Sequence, residues 1–179
     1  MSDSHVHDPA LRFCPSCGGP LAPKRIKAGE PERPVCTQCG HVVYLDPKVA
    51  VGTVITDDKG RIALVRRSIE PGYGKWVFPG GYVDRGEVPT VAAVREAREE
   101  ACLDIRLDGL INIYAYAGAV PIVIVYKASV VGGTLDAADE SLEAAWFALD
   151  TVPWDDLAFR STRDALRDHR RGLLHADLV

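Results

Sequence analysis

The chain has 179 residues, 47% of them hydrophobic and only 7% aromatic, and carries a formal net charge of −4 at pH 7. That length suffices for one domain with a sizeable core plus a small appendage. The acidic balance argues against a protein that holds nucleic acid on a broad basic surface, and the longest apolar run, Ala119 to Tyr126, is too short to span a bilayer and contains Pro121.

In chain order, residues 1–10 read as a flexible polar tail. They include His5 and His7 but lack the positive start and apolar run of a signal peptide, so a soluble, cytoplasmic protein is expected. Residues 11–46 form a first domain. Cys14 and Cys17 make one C-x2-C pair, and Cys36 and Cys39 make a second after an eighteen-residue gap. Four thiolates so spaced suit one tetrahedral Zn²⁺, and Gly18 and Gly40, each following the second cysteine of a pair, suit knuckle turns. Disulfides are not expected in an intracellular chain. A segment this short needs its metal to fold, so the role expected of the ribbon is structural. Pro20 to Pro34 reads as a polar hairpin or loop, Val42-Val43-Tyr44 as a short strand, and Asp46-Pro47 as the boundary to a second domain over 47–179.

There, Val49 to Ile55 predicts a buried strand, Asp57-Asp58-Lys59-Gly60 a turn, and Ile62 to Arg67 its hairpin partner. Trp76 to Pro79 predicts a short strand leading into the Gly80-Gly81 turn. Pro89 suits the first position of a helix that nothing breaks before Leu103. Ile105 to Leu107, Leu110 to Tyr116 and Val120 to Val131 read as strands, the last apolar enough for a central one, giving a mixed sheet. An acidic loop, residues 138–143, precedes a final strand at Ala145 to Leu149, and Ser161 to Arg171 predicts a closing helix.

The central helix carries the chemistry. Glu96, Glu99 and Glu100 stand at i, i+3 and i+4, so like charges share one face. Val91, Val94, Ala97 and Ala101 form the expected apolar stripe against the sheet. Carboxylates crowded on a docked helix make sense around a hard divalent cation, Mg²⁺ or Mn²⁺. Glu87 adds a fourth carboxylate, and Arg95 a cation to hold and orient one of them. Arg66 or Arg67, at the end of its strand, is a candidate phosphate ligand.

These residues resemble the Nudix hydrolase box, G-x5-E-x7-R-E-U-x-E-E-x-G-U with U aliphatic. Gly81, Glu87, Arg95, Glu96, Glu99, Glu100 and Leu103 fall on it, while Ala97 is small for its position and Cys102 replaces the last glycine. A Cβ in the left-handed conformation costs on the order of 1 kcal/mol, so a different helix end is expected, with no metal ligand lost. The resemblance implies an α/β Nudix fold, a mixed β-sheet sandwiched by helices behind a small four-cysteine zinc ribbon. It puts the rim of Trp76, Gly80, Gly81 and Tyr82 near the substrate. It also implies a further catalytic glutamate in the acidic loop, Glu140 or Glu143, with Glu143 preferred for its closeness to the following strand.

A diphosphate linkage repels hydroxide, so its hydrolysis needs charge neutralisation, a positioned water and a stabilised leaving phosphate. The ribbon, Asp46-Pro47-Lys48, Gly80-Gly81-Tyr82 and Leu157-Ala158-Phe159 are similar to the ADP-ribose/FAD pyrophosphatase group. The downstream S-Q-P-W-P-F-P-x-S array of NADH pyrophosphatases has no counterpart after Leu103. The resemblance therefore implies hydrolysis of FAD or ADP-ribose with release of AMP, a small-molecule nucleotide substrate and, by analogy, a homodimer. The alternatives are an NADH pyrophosphatase, a nucleoside triphosphate sanitising pyrophosphatase, and a non-catalytic ADP-ribose-sensing regulator, which the intact glutamates disfavour.

Overall fold

The computed structural model describes residues 11–138 and 140–178; the tail expected over 1–10 lies outside them. The chain divides into two compact units between Pro47 and Lys48.

In the first unit, β1 (Leu21–Arg25) and β2 (Glu32–Cys36) pair as an antiparallel hairpin. Gly18 and Gly40 take φ of +73° and +74°, and their amides donate to the carbonyls of Cys14 and Cys36 at 2.9 and 3.1 Å. These are the knuckle turns expected, at positions where a Cβ would be strained. The strand expected over Val42–Tyr44 shortens to one bridge, Val42 opposite Val35. The Val43 amide donates to the Pro34 carbonyl at 2.8 Å, but Pro34 has no amide to return, so the ladder stops.

The second unit is a mixed sheet with helices. Its strands are β3 (Val49–Thr56), β4 (Ile62–Arg67), β5 (Trp76–Val77), β6 (Leu103–Tyr114), β7 (Ile122–Gly133) and β8 (Ser141–Phe147). The order is β5-β4-β3-β7-β6, with β8 also on β4; β3 and β7 run parallel and the other pairs antiparallel. The two strands expected between Ile105 and Tyr116 are one, β6, whose register shifts at Asp104/Ile105, Leu107/Gly109 and Leu110/Asn112. Such bulges let one long strand keep pairing while it bends. The core lies between Val54, Ile55, Leu64, Val65, Leu103, Ile111 and Val125, and reaches Leu166 on the closing helix α2 (Arg160–Arg170). Among the described residues no helix is long and apolar enough to cross a membrane.

Helix α1 (Pro89–Ala101) opens with Pro89 at its first position, as the sequence predicts. Its buried face corrects the expected stripe. Ala92, Ala93, Ala97 and Ala101 are fully buried together with most of Glu96 and Glu100, whereas Val91 and Val94 are exposed. The smallest side chains meet the sheet and bring the helix axis close to it. That rotation carries two of the three glutamates inward and turns the valines out.

Candidate active site

The loop before α1 is held by the edge of β3. Val51 and Thr53 donate their amides to the carbonyls of Gly81 and Pro79 at 2.8 and 2.9 Å, and Val83 donates to Val49 at 3.0 Å. This pairing leaves no room for side chains at the turn. A Cβ on Gly80 would meet the Val51 carbonyl oxygen at 2.2 Å, and one on Gly81 would meet the Glu96 carboxylate at 2.6 Å. The glycines thus let α1 press its carboxylates onto the loop, where Glu100 Oε2 accepts the Gly80 amide at 2.8 Å.

Arg95 gathers the rest. Its Nε and Nη2 hold the two oxygens of Glu87 at 2.9 and 3.0 Å. Its Nη1 donates to Glu96 Oε1 and to Glu99 Oε2, each at 2.8 Å, and its Nη2 also reaches the Tyr82 carbonyl at 3.2 Å. A planar guanidinium can make this forked set where an ammonium cannot. One cation therefore offsets three carboxylates that would otherwise repel one another.

The charges are tuned apart. Burial, the largest effect, pushes the Glu100 carboxyl up to about 7 against the lowering by the Gly80 amide. Burial likewise raises Glu96, with Arg95 opposing it. Glu87 goes the other way: hydrogen bonding from Arg95 and then from the Asp84 amide holds it down to about 2. Two inward carboxyls reluctant to ionise beside a third that stays ionised form a site where an added cation gains more than in water.

Among the described residues no protein donor reaches Glu96 Oε2, Glu99 Oε1 or Glu100 Oε1. Hard oxygen donors, one spare on each of three residues, fit a divalent ion. They do not close a ready-made cage; among the described residues the cysteines are the group whose ligand atoms all lie within 4.8 Å of one another. Cys14, Cys17, Cys36 and Cys39 place their sulfurs at 3.7 Å (Cys14–Cys39), 3.5 Å (Cys17–Cys36) and 3.4 Å (Cys17–Cys39), close to the roughly 3.8 Å edge of a tetrahedron with Zn–S bonds of about 2.3 Å. The amides of Ser16 and Cys39 donate to Cys14 Sγ and Cys36 Sγ at 3.4 and 3.5 Å, and the Cys39 amide is the main reason the Cys36 thiol falls to about 6. This is a zinc-binding cysteine cluster.

The remaining candidates scatter. Tyr82 is exposed at the rim, with Lys48 Nζ 4.9 Å above its ring. Trp76 is buried in the core, packed edge-on against Phe147 at 5.0 Å between centroids. Arg66 and Glu143, register partners on β4 and β8, occupy each other at 3.5 Å, and Arg66 Nε also donates to the Gly74 carbonyl at 2.7 Å. Two neighbours do more. The charge of Glu140 raises both Glu96 and Glu100, and that of Arg67 lowers Glu100. Arg67 is one of the two arginines expected as a phosphate ligand, and Lys48 lies in the Asp46-Pro47-Lys48 stretch, but neither stretch says which side chain stands beside the helix carboxylates.

Comparison with known proteins agrees with this geometry. A profile described as NUDIX domain matches residues 46–168, and one described as Nudix N-terminal, the Nudix zinc ribbon, matches residues 12–45. The chain belongs to the Nudix family. It is similar to a Nudix relative named ADP-ribose pyrophosphatase from Methanocaldococcus jannaschii, 36% identical over 133 residues that cover 72% of this chain and 76% of the relative. It is 28% identical over 144 residues to the NAD-capped RNA hydrolase NudC of Pseudomonas aeruginosa, covering 79% of this chain but 49% of that one. The crystal structure of a NUDIX hydrolase from Nitrosomonas europaea superposes with a TM-score of 0.84 at 27% identity, over 94% of this chain and 97% of the other. The protein is a Nudix hydrolase of the pyrophosphatase type.

Proposed function

We propose that this Nudix hydrolase cleaves the diphosphate of FAD or ADP-ribose, releasing AMP with FMN or ribose 5-phosphate. The observation that carries the chemistry is that one turn of α1 presents Glu100 on the Gly80 amide and Glu96 and Glu99 gathered by Arg95. Support for the substrate comes from the ADP-ribose pyrophosphatase relative, matched over most of both chains.

Glu96, Glu99 and Glu100 are the residues that would hold a catalytic Mg²⁺ or Mn²⁺. A divalent ion there would supply neutralisation of diphosphate charge and acidify an attacking water. Arg95 and Glu87 keep the carboxylates aimed. Of the two acids expected there, Glu143 is paired with Arg66 at 3.5 Å, and Glu140 is assigned as the acid that would accept the water's proton. Arg66 is engaged with Gly74 and Glu143, and Arg67 with the Pro71 carbonyl and the Phe159 ring; of the two, Arg67, whose charge reaches Glu100, is assigned to the departing phosphate. Tyr82 offers its open ring to a base.

A second reading, hydrolysis of an NAD-type diphosphate, for which NADH is the small probe, draws on the match to the NAD-capped RNA hydrolase NudC. Incubation with FAD, ADP-ribose, NADH and 8-oxo-dGTP in parallel, with Mg²⁺ and then Mn²⁺, separates the readings by the products resolved on chromatography. AMP chiefly from FAD or ADP-ribose is the expected result; preferential turnover of NADH would install the second reading. Glu99→Gln is expected to abolish turnover while zinc content and folding persist, and native activity in that variant would overturn the metal assignment.

A further inference from the structure

The ribbon sheet has two faces, and its register says which residues share them. Directly opposed residues of an antiparallel pair project to the same side. Ala22 opposes Val35, and Lys24 opposes Arg33. Val42 opposes Val35 from the other edge of β2, and Tyr44, two residues on, returns to the same side, as the Arg33 guanidinium 4.6 Å from the centre of its ring shows. The other face carries Leu21, opposed to Cys36 of the metal cluster, and the pair Arg25 and Glu32. The acidic residue of the hairpin pairs is thus on the metal side, and the outer face is cationic and aromatic.

Among the described residues the contact between Arg33 and Tyr44 leaves this face open to a further partner. Tyr44 is 59% exposed, so the ring side opposite Arg33 is open. Among the described residues neither Lys24 nor Arg33 forms an ion pair, and Arg33 Nε is buried without a hydrogen-bond partner. A row of cations beside an open ring matches a chain of phosphates with unpaired bases: the cations meet the backbone and a base stacks on the ring. A cation already seated on the far side of the ring leaves that stacking face rigid. The whole-chain charge of −4 bears on a broad surface and not on this local pad.

We propose that the outer face of the ribbon, through Lys24, Arg33 and Tyr44, binds a single-stranded nucleic acid. The test is fluorescence anisotropy of a labelled RNA of about 12 nucleotides, within the range of single-strand site sizes, titrated with the zinc-loaded full chain at two salt concentrations. Binding that weakens with salt is expected. Tyr44→Ala should weaken it roughly tenfold and Tyr44→Phe should leave it intact, while Lys24→Glu should weaken it and make the salt dependence shallower by about one ion. Zinc content and small-substrate turnover serve as folding controls and should stay at the native level in all three. No binding at low salt overturns the proposal. So does equal binding of a duplex of the same length or of a polyglutamate peptide, or a native affinity in Tyr44→Ala, since each reduces the pad to bare charge.

Discussion

Glu100 Oε2 accepts the amide hydrogen of Gly80 at 2.8 Å, and this bond joins the last turn of α1 to the loop twenty residues before it. The carboxylate is buried for that contact, and its affinity for a proton rises in consequence. With the unfolded value near 4.5 and the folded value about 7, neutral Glu100 favours the folded state. That contribution is complete below 4.5 and is lost as pH rises through 7, with a ceiling of about 3 kcal/mol. Without added Mg²⁺ or Mn²⁺, the melting temperature of Glu100→Gln relative to the native protein should therefore climb between pH 5 and pH 8. A flat difference would remove the burial effect. Mn²⁺ at pH 8 should raise the melting temperature of the native protein and leave Glu100→Gln nearly unmoved.

Gly80 and Gly81 should fail differently. A Cβ at Gly80 strikes the Val51 backbone oxygen at 2.2 Å, and the strand cannot give way, so Gly80→Ala should destabilise by roughly 2 kcal/mol or more. A Cβ at Gly81 strikes the end of the Glu96 side chain, which can swing aside. Gly81→Ala should fold nearly as well as the native protein and lose most of its hydrolysis. Urea unfolding and turnover, measured on both variants, check the contrast.

Cys102 takes φ 55° and ψ 26° at the end of α1 and donates its amide to Arg98. The expectation of a different helix end is thus corrected: the chain keeps the left-handed cap with a cysteine in it. Its carbonyl lies where a Cβ on Gly133, φ +80°, would sit, 2.2 Å away. Cys102→Gly should add about 1 kcal/mol of stability by relieving the Cβ, and Gly133→Ala should cost more than that gain. The urea midpoints of the two variants should move in opposite directions.

At the other end of the sheet, Tyr114 Oη donates to Asp168 Oδ2 at 2.9 Å, and Asn112 Nδ2 reaches the same oxygen at 3.4 Å. These bonds fasten α2 to β6. Tyr114→Phe should destabilise by about 1.5–3 kcal/mol, the worth of a hydrogen bond to a charged acceptor, while KM and kcat stay near the native values. A loss of activity larger than the loss of folded protein would place Tyr114 in the site.

What the sequence determined by itself lies within short stretches. The cysteine knuckles, the helix start at Pro89 and the i, i+3, i+4 grouping of Glu96, Glu99 and Glu100 follow from local sequence, because turn chemistry and backbone periodicity set where neighbours a few residues apart must point. Arg95 could be assigned to orient carboxylates for the same reason. Tertiary structure decided the rest. Which side of α1 is buried depends on how closely alanines approach the sheet, so Val91 and Val94 are left outside. Whether Arg66 or Arg67 is engaged with Glu143, whether Glu140 lies near the helix carboxylates, and whether Trp76 is core or rim all depend on pairing of β4 with β5 and β8, up to about eighty residues apart. Strand pairing aligns residues by register across the sheet, and register is set by packing of the whole core, which no local pattern encodes.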